Sequence, residues 1–364
     1  MKYKTADPWL ELAQKVEFLQ NPTSYPDRPP FVEWVETHMS WVFLTDQYAY
    51  KLKKPVEFNY LNLASVDKRK ENAQLEVSLN QALAPDLYLD FIPLKLNLQQ
   101  ELTLKNDHPS EKVVDWLVLM KRFPQARTLE YLLDQIHLTD PLLAKVSRML
   151  SDFYLTADVG HLTGEEYCQR LRASIHQNYS ALSQLHYGMD FHLVKEIHGT
   201  QLDLFEKLES LLIQRVEQKK IIEGHGDLRP EHICLVDPPI IIDRLEFSRD
   251  LRTLDPLDEL SYLTLECAFL GRPEIGDVFL KTYLATTHDK AEEELLAFYR
   301  SHRACLRAKL CLWHLDDIRV ADKEKYLSRG RIYLNLARAA LTESEGIVVR
   351  AQPPSHRPVN ASSP

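Results

Sequence analysis

The chain has 364 residues, of which 44 are lysine or arginine and 53 are aspartate or glutamate, so its formal net charge is −9 at pH 7. This acidic balance argues against a nucleic-acid-binding protein, because affinity for phosphate requires a basic surface. A hydrophobic content of 45% excludes a disordered or collagen-like chain, and the low number of glycines, 10, favours helices over tight turns.

The sequence carries no sign of export or membrane insertion. No run of about 18 apolar residues occurs, and residues 1–20 lack the apolar core of a secretory signal. The five cysteines have no CxxC spacing, which favours reduced thiols over a disulfide frame or a zinc site. We therefore expect a cytoplasmic protein with neither nucleic acid nor membrane as a partner.

The N-terminal part of the chain has the pattern of a sheet. Residues 31–54 alternate apolar and polar side chains with period two, which predicts two or three strands. Residues 65–84 have helical spacing and end at Pro85, and residues 88–104 and 113–123 again predict strands. We expect a sheet of about five strands with one helix.

Helical patterns dominate the rest of the chain. Asp140 before Pro141 is typical of a helix start, and Thr163 with Glu166 has the spacing of a capping box. A β-rich island interrupts the helices at residues 221–247. The predicted organisation is an N-terminal extension at 1–29, an N-lobe at 30–123, a helical C-lobe at 124–343 and a mobile tail at 344–364.

The island contains the residues best suited to chemistry. Asp227 and Asp243 each follow an apolar, strand-like run, so we expect both to lie in loops. Arg229, two residues after Asp227, adds a fixed positive charge. A tight return at 237–239 is predicted to bring the two aspartates together. Two carboxylates and an arginine suit phosphoryl transfer, where one carboxylate accepts a hydroxyl proton and the other holds a divalent ion.

The segments HGDLRPEHI and IIDRLEF resemble the catalytic loop and the metal-binding strand of the aminoglycoside phosphotransferase family. This resemblance implies an α+β, protein-kinase-like, two-lobe fold, with an antiparallel sheet and one helix in the N-lobe and a large, mainly helical C-lobe that carries the catalytic loop at 225–247. It also implies that Asp227 is the catalytic base, His225 supports the loop, Arg229 faces the phosphates and Asp243 binds magnesium.

Residues 30–320 are similar to an uncharacterised bacterial branch of that family, whose members are often fused to a C-terminal P-loop kinase-like domain. No GxxxxGK(S/T) motif occurs in the chain. We therefore expect the chain to be the first module alone, with a P-loop kinase-like partner domain encoded separately.

The resemblance also assigns the nucleotide-binding parts. Lys51 in Ala49-Tyr50-Lys51 matches the strand lysine that holds the α- and β-phosphates of ATP, and Lys53 is a rival on the same strand face. Glu71 or Glu76 would pair with that lysine, and we choose Glu76 because it is nearer the helix middle.

Residues 117–122 occupy the position of the hinge between the lobes. The resemblance implies that the backbone of this segment, which includes Met120 and Arg122, hydrogen-bonds the adenine.

Two departures from the family pattern affect the site. His232 stands where the family has asparagine; magnesium prefers oxygen ligands and imidazole suits softer ions. Either the second metal site is weak or it favours Mn²⁺, with Glu246 as an extra oxygen ligand. In addition, residues 31–48 contain no glycine, so Thr37, His38 and Ser40 would have to cover the nucleotide without a glycine-rich flap.

About a dozen residues separate Asp243 from the next helix start at Asp255, too few for the activation segment that holds a peptide. We therefore expect an ATP- and Mg²⁺-dependent kinase whose acceptor is a hydroxyl of a small molecule. The alternative is a catalytically weak or inactive ligand-sensing module with the same fold. We expect Asp255 and Asp258 mainly to cap and stabilise the start of the next helix. The four acids behind the loop would also suit a cationic acceptor: Asp255, Asp258, Glu259 and Glu266.

Overall fold

The computed structural model describes residues 12–58, 61–105, 111–317 and 320–343. The chain divides into two compact units. The first holds the residues up to Thr128 and also Pro238–Arg252, and the second holds Leu129–Asp237 and the residues from Thr253 onward. The division falls after residue 128 rather than after 123, and part of the predicted catalytic loop region, 238–247, belongs with the sheet. The predicted tail, 344–364, lies outside the described residues.

An antiparallel sheet forms the framework of the first unit. The segment predicted as one strand at 88–104 is divided by a turn, which adds a short sixth strand to the five expected. The strands are β1 (Glu33–Glu36), β2 (Ser40–Leu44), β3 (Tyr48–Lys53), β6 (Tyr88–Leu96), β7 (Leu102–Thr103) and β8 (Lys112–Lys121), in the order β1-β2-β3-β8-β6-β7. A separate hairpin consists of β4 (Glu57–Phe58) and β5 (Leu61–Asn62), and β11 is Ile240–Ile241.

The predicted helix of the sheet unit is α2 (Val66–Asn80), which begins after the cap Ser65. Its buried residues Ala73 and Val77 pack with Val118 of the sheet, which fixes the helix against one face. A short helix, α7 (Arg249–Arg252), follows β11.

The predicted N-terminal extension is partly a core element. Residues Leu12–Gln20 form α1, whose Leu19 is fully buried against the sheet. Lys15 Nζ lies 2.8 Å from the buried carboxylate of Asp115, which Arg69 also contacts at 2.7 Å. This buried ion network ties α1 to the sheet, so residues from Leu12 onward are part of the first unit.

The second unit is mainly helical, as predicted. The expected caps are present: Asp140 accepts from Leu142 N–H at 2.8 Å, Thr163 and Glu166 form a capping box, and Asp255 accepts from Leu257 N–H at 2.9 Å. Its helices are α3 (Leu129–Leu132), α4 (Pro141–Thr156), α5 (Gly164–Leu182), α6 (Phe191–Glu217), α8 (Pro256–Phe269), α9 (Pro273–Thr287), α10 (Glu293–Trp313) and α11 (Lys323–Glu343), and its short strands are β9 (Ile222–Glu223), β10 (Ile233–Cys234) and β12 (Thr253–Leu254).

Helix α8 lies at the centre of this unit. Every residue from Pro256 to Cys267 is buried, which is typical of a helix surrounded by other elements. All five cysteines are buried free thiols, as expected. Across the described ranges, the helices are either too short or too polar to cross a membrane.

Candidate active site

Buried lysines and carboxylates form a cluster in the first unit, which we call the lysine–carboxylate cluster. Lys51 Nζ lies 2.8 Å from Glu76 Oε1 and 3.1 Å from Asp243 Oδ1. Lys53 Nζ pairs with the other oxygen of Glu76 and lies 2.5 Å from Glu246 Oε1. The two ammonium groups and three carboxylates leave one formal negative charge, which suits binding of a further cation.

The contacts decide between the alternatives that the sequence left open. Glu76 is fully buried and pairs with both lysines, whereas Glu71 is exposed and lines an open cavity of about 810 Å³ between α2 and the β4–β5 pair. The Lys51 side chain is 17% exposed and that of Lys53 only 3%. Lys51 is therefore the lysine that a ligand can reach.

Mutual attraction keeps the cluster charged. Burial alone would lower the pKa of Lys51, but the carboxylates of Asp243 and Glu76 outweigh it and raise that pKa well above its usual value. Burial alone would raise the pKa of Glu76, but Lys51 and Lys53 outweigh it and lower the pKa. Both partners are ionised at neutral pH.

Asp243 is held in an unusual backbone conformation. Its φ of 62° lies in the left-handed region, which costs a non-glycine residue about 1 kcal/mol or more. Asp243 N–H donates to the Tyr88 hydroxyl at 3.1 Å, and the next N–H, of Arg244, donates to Asn80 Oδ1 at 2.8 Å. These anchors on β6 and α2 hold the carboxylate beside Lys51 while its side chain remains 46% exposed.

Another set of contacts, in the second unit, holds the His225-Gly226-Asp227 loop against α8. Glu259 accepts hydrogen bonds from His225 N–H at 3.0 Å, Gly226 N–H at 2.5 Å and the Tyr154 hydroxyl at 2.8 Å. At Gly224 an added Cβ would lie 2.9 Å from Glu259 Oε2, so a side chain there would crowd the carboxylate. Sequence reasoning missed this role, because the hydrogen bonds join residues 33 and 34 positions apart along the chain.

Both carboxylate oxygens of Asp227 accept hydrogen bonds. The Tyr262 hydroxyl donates to Oδ1 at 3.2 Å, and Arg229 Nη2 donates to Oδ2 at 2.9 Å. Burial alone would raise the pKa of Asp227, but Arg229 and then His232 outweigh it and hold the pKa below its usual value. Asp227 is thus ionised at neutral pH, and its side chain is 33% exposed and able to accept a proton.

The remaining predicted loop residues contact the loop itself. His225 is fully buried, and its Nδ1 accepts from Asp227 N–H at 3.3 Å. His232 Nδ1 lies 2.8 Å from the Asp227 carbonyl oxygen and Nε2 lies 3.4 Å from Arg229 Nη2. Since a carbonyl oxygen only accepts, Nδ1 carries a proton and donates to it. Arg229, predicted to face the phosphates, also pairs with Glu231 at 2.6 Å.

The segment predicted as a hinge lies within and just after β8. Arg122 N–H donates to Gln47 O at 2.7 Å, and its guanidinium donates to Thr45 O at 2.8 Å. That N–H is therefore already satisfied inside the first unit, and the predicted bond between the backbone of this segment and adenine stays a prediction.

An apolar surface surrounds Lys51 on its own sheet face. Lys51 pairs in register with Val42, and Ala49, two residues away, pairs with Leu44 and Met120. Paired residues, and residues two apart, share a sheet face. The side chains of Val42, Leu44, Ala49 and Met120 therefore lie on the face that carries the Lys51 ammonium.

The glycine-free turn between β1 and β2 is closed by its own hydrogen bonds. Thr37 N–H donates to Ser40 O at 2.8 Å, and Ser40 N–H donates to Thr37 Oγ1 at 2.9 Å. Lys54 Nζ donates to Thr37 O at 2.6 Å. The N–H groups of Thr37 and Ser40 are therefore both used within this turn.

The acids behind the loop do not support the expected cationic acceptor, because each one has a partner in the protein. Asp255 pairs with Arg215 at 2.8 Å, Asp258 with Arg303 at 2.6 Å and Glu266 with Arg307 at 2.9 Å. Together with Glu259, they stabilise the helical unit.

The predicted metal ligands differ in their surroundings. Glu246 pairs with Lys53, and His232 contacts its own loop in the second unit. Within the described ranges, no three histidine, cysteine, aspartate or glutamate side chains are grouped to hold a metal ion. Asp243 belongs to the first unit and Asp227 to the second, so their predicted proximity stays a prediction.

Comparison of sequences finds relatives of unknown activity. No family model matches the chain. It is 28% identical over 290 residues to the uncharacterized proteins Rv2004c of Mycobacterium tuberculosis and Mb2027c of Mycobacterium bovis. The match covers 77% of this chain but only 55% of each relative, so the chain spans about half the length of the curated relatives it matches. The separately encoded P-loop partner stays a prediction.

Comparison of structures identifies the fold. A choline/ethanolamine kinase family protein from Mesorhizobium loti aligns over 92% of this chain and 99% of its own, at 14% identity and a TM-score of 0.49. A mutant of aminoglycoside 2'-phosphotransferase-IIIa, in complex with GDP, aligns over 90% of this chain and 97% of its own, at 14% identity and a TM-score of 0.50. The chain has an aminoglycoside-phosphotransferase-like fold. This confirms the protein-kinase-like architecture that the HGD and ID segments implied.

In this aminoglycoside-phosphotransferase-like fold, we expect Glu259→Gln to loosen the HGD loop. The amide keeps one accepting oxygen but places its NH₂ group against the N–H donor of either His225 or Gly226, which costs about 1–3 kcal/mol of unfolding free energy. Urea denaturation and amide hydrogen exchange at these two residues measure the effect. The matched variant Glu165→Gln, exposed on α5, should change stability by less than about 0.5 kcal/mol. Unchanged exchange in Glu259→Gln would rule out the anchoring role.

Proposed function

We propose that the protein is an ATP- and Mg²⁺-dependent phosphotransferase that transfers the γ-phosphate to a hydroxyl of a small molecule. The observation that carries this proposal is the pairing of Lys51 with both Glu76 and Asp243. Kinase-type transfer needs a lysine held in place for the phosphates and a carboxylate for the metal ion. The lysine–carboxylate cluster provides both side chains in ionised form.

The nucleotide would bind on the sheet face that carries Lys51. The apolar side chains of Val42, Ala49 and Met120 suit a flat, weakly polar base, and the Lys51 ammonium suits the phosphates. The GDP complex of the aminoglycoside phosphotransferase supports a purine nucleotide as the ligand.

Asp227 would act as the proton acceptor. The acceptor hydroxyl gives its proton to the Asp227 carboxylate as its oxygen forms a bond to the γ-phosphorus, and the bond from that phosphorus to the bridging oxygen of ADP breaks. Arg229, which donates to Oδ2, keeps the carboxylate ionised for this step.

The Asp243 carboxylate fits a magnesium ion, because it is a hard oxygen donor and is half-exposed beside Lys51. When bound, the ion would neutralise charge on the phosphates. His232 has both ring nitrogens directed at protein groups, so we assign it to the loop rather than to the ion and propose Mg²⁺ rather than Mn²⁺.

One observation favours the second candidate, a ligand-sensing module without efficient transfer. The turn between β1 and β2 has no glycine, and the N–H groups of Thr37 and Ser40 are used within it, so these two groups are not offered to phosphates in this conformation. Such a protein would bind a nucleotide or another ligand without passing on a phosphate.

Nucleotide binding is the first test of the proposal. With Mg²⁺ and ATP at about 100 times the dissociation constant, stability should rise by about 2.7 kcal/mol, seen as a higher melting temperature. Lys51→Met should abolish this shift, whereas Lys68→Met, which removes an exposed lysine of α2, should retain it. No shift with millimolar ATP in the unmodified protein would reject the kinase proposal. A shift without phosphate transfer to any alcohol would favour the sensing module.

A further inference from the structure

Tyr262 makes a contact whose purpose neither the fold nor the motif explains. Its hydroxyl donates to Asp227 Oδ1 at 3.2 Å, while Arg229 occupies the opposite oxygen, Oδ2, at 2.9 Å. Tyr262 is 3% exposed, so its hydroxyl serves the protein interior rather than solvent. The carboxylate that it contacts is accessible by comparison, with 33% of the side chain exposed.

We infer that Tyr262 is a positioning residue that fixes the orientation of the Asp227 carboxylate. This inference rests on the proposed function of Asp227 as proton acceptor. Tyr262 itself touches neither acceptor nor phosphate in this role, and it acts only through Asp227.

The rigidity needed for positioning comes from α8. Glu259 and Tyr262 are three residues apart on this helix, so they lie on the same face. Glu259 holds the backbone of the loop through the N–H groups of His225 and Gly226, and Tyr262 holds the side chain of the next residue, Asp227. One buried helix therefore fixes both the backbone and the carboxylate of the loop.

Tyr262 is itself held on more than one side. The Arg303 guanidinium lies 5.3 Å from the centre of its ring and pairs with Asp258, on the same helix, at 2.6 Å. The helix start is capped by Asp255, which is buried and paired with Arg215. The phenol therefore has little freedom to follow a rotating carboxylate.

The two hydrogen bonds to the Asp227 carboxylate, from Tyr262 and Arg229, have a chemical consequence. An ionised carboxylate has about four lone-pair sites, and the two donors occupy one site on each oxygen. A free rotation about the Cβ–Cγ bond would break both bonds, so the remaining lone pairs keep a fixed direction. Each donor also stabilises the ionised form, which keeps the carboxylate able to accept a proton.

The first part of the test measures a pKa and does not require that the protein transfers phosphate. We expect Tyr262→Phe to raise the pKa of the Asp227 carboxyl, measured by carbon NMR titration of the nucleotide-free protein, with Asp227→Asn assigning the signal. Replacing Tyr262 by a fluorinated tyrosine, whose more acidic hydroxyl is the stronger donor, should move that pKa the opposite way. The fluorinated protein keeps the ring, so it remains informative if the phenylalanine variant does not fold. An unchanged Asp227 titration in both proteins would overturn the inference.

The second part measures phosphate transfer. Tyr262→Phe should lower kcat by roughly tenfold to a hundredfold, the range of one hydrogen bond to a charged group, with KM for ATP nearly unchanged. The acid limb of its pH–rate profile should move to higher pH. Tyr187→Phe, which removes the hydroxyl that donates to Asp316 Oδ2 at 2.6 Å, should leave rate and profile unchanged.

The two possible failures are distinguishable. If Asp227→Asn is inactive but Tyr262→Phe keeps the unmodified rate and pH profile, the positioning role is wrong and the proposed function stands. If Asp227→Asn turns over at the unmodified rate, the proposed function fails and the positioning role fails with it.

Discussion

We expect Asp227→Asn to transfer phosphate about two to four orders of magnitude more slowly than the unmodified protein, the usual contribution of a general base. The amide has nearly the same shape but cannot accept the hydroxyl proton. The loss should appear in kcat, because proton removal belongs to the chemical step. Steady-state kinetics with an identified acceptor measures it.

The pH–rate profile gives an independent check on this residue. The pKa of Asp227 is below its usual value because Arg229 and His232 outweigh burial, so the carboxylate stays ionised as the pH falls through the normal carboxyl range. We expect activity to persist to a correspondingly low pH, as far as the fold survives. Asp237→Asn, an exposed aspartate paired with Lys145 at 3.0 Å, is the matched control and should keep the unmodified rate. Full activity in Asp227→Asn would exclude it as the base.

The second large effect is on stability. We expect Glu76→Gln to reduce the free energy of unfolding by about 3 kcal/mol, because removing one partner of a buried ion pair leaves the other charge uncompensated. Two ammonium groups lose this fully buried partner, and Lys53 is itself almost completely buried. Urea denaturation measures the change.

The pH dependence of that difference follows from the sign of the shift. The folded-state pKa of Glu76 is lowered, so its stabilising contribution is present at neutral pH and is lost as the pH falls through the folded-state value. The two proteins should therefore become more alike in acid. Glu71→Gln changes an exposed glutamate of the same helix and should cost less than about 0.5 kcal/mol. Equal effects at the two positions would contradict the assignment of Glu76 as the buried partner.

Local patterns in the sequence predicted much of the fold. The caps at Asp140, Thr163 and Asp255 were predicted, because capping depends on residues only two or three positions apart. The strand and helix patterns predicted the bounds of the sheet strands and of α2 to within a few residues. Helix α1 was missed, because its burial depends on Asp115, about a hundred residues away.

Only the site residues that belong to recognisable motifs were predicted from the sequence. Lys51, Glu76 and Asp243 were chosen from motif positions, and the structure brings them together in the first unit. The sequence could not show that Glu259 holds the loop from 33 and 34 residues away, or that Tyr262 reaches Asp227 over 35. The sequence also left a cationic acceptor open for the acids of α8, because the arginines that neutralise Asp258 and Glu266 come from α10.

We propose that Asp227 and Asp243 serve one phosphate-transfer reaction. The most direct measurement is transfer of the labelled γ-phosphate of ATP to a panel of small alcohols by the unmodified protein, Asp227→Asn and Asp243→Asn. We predict a labelled product with the unmodified protein and at least about a hundredfold less with either variant, since one removes the proton acceptor and the other the metal ligand. Transfer at the unmodified rate by either variant would contradict the account.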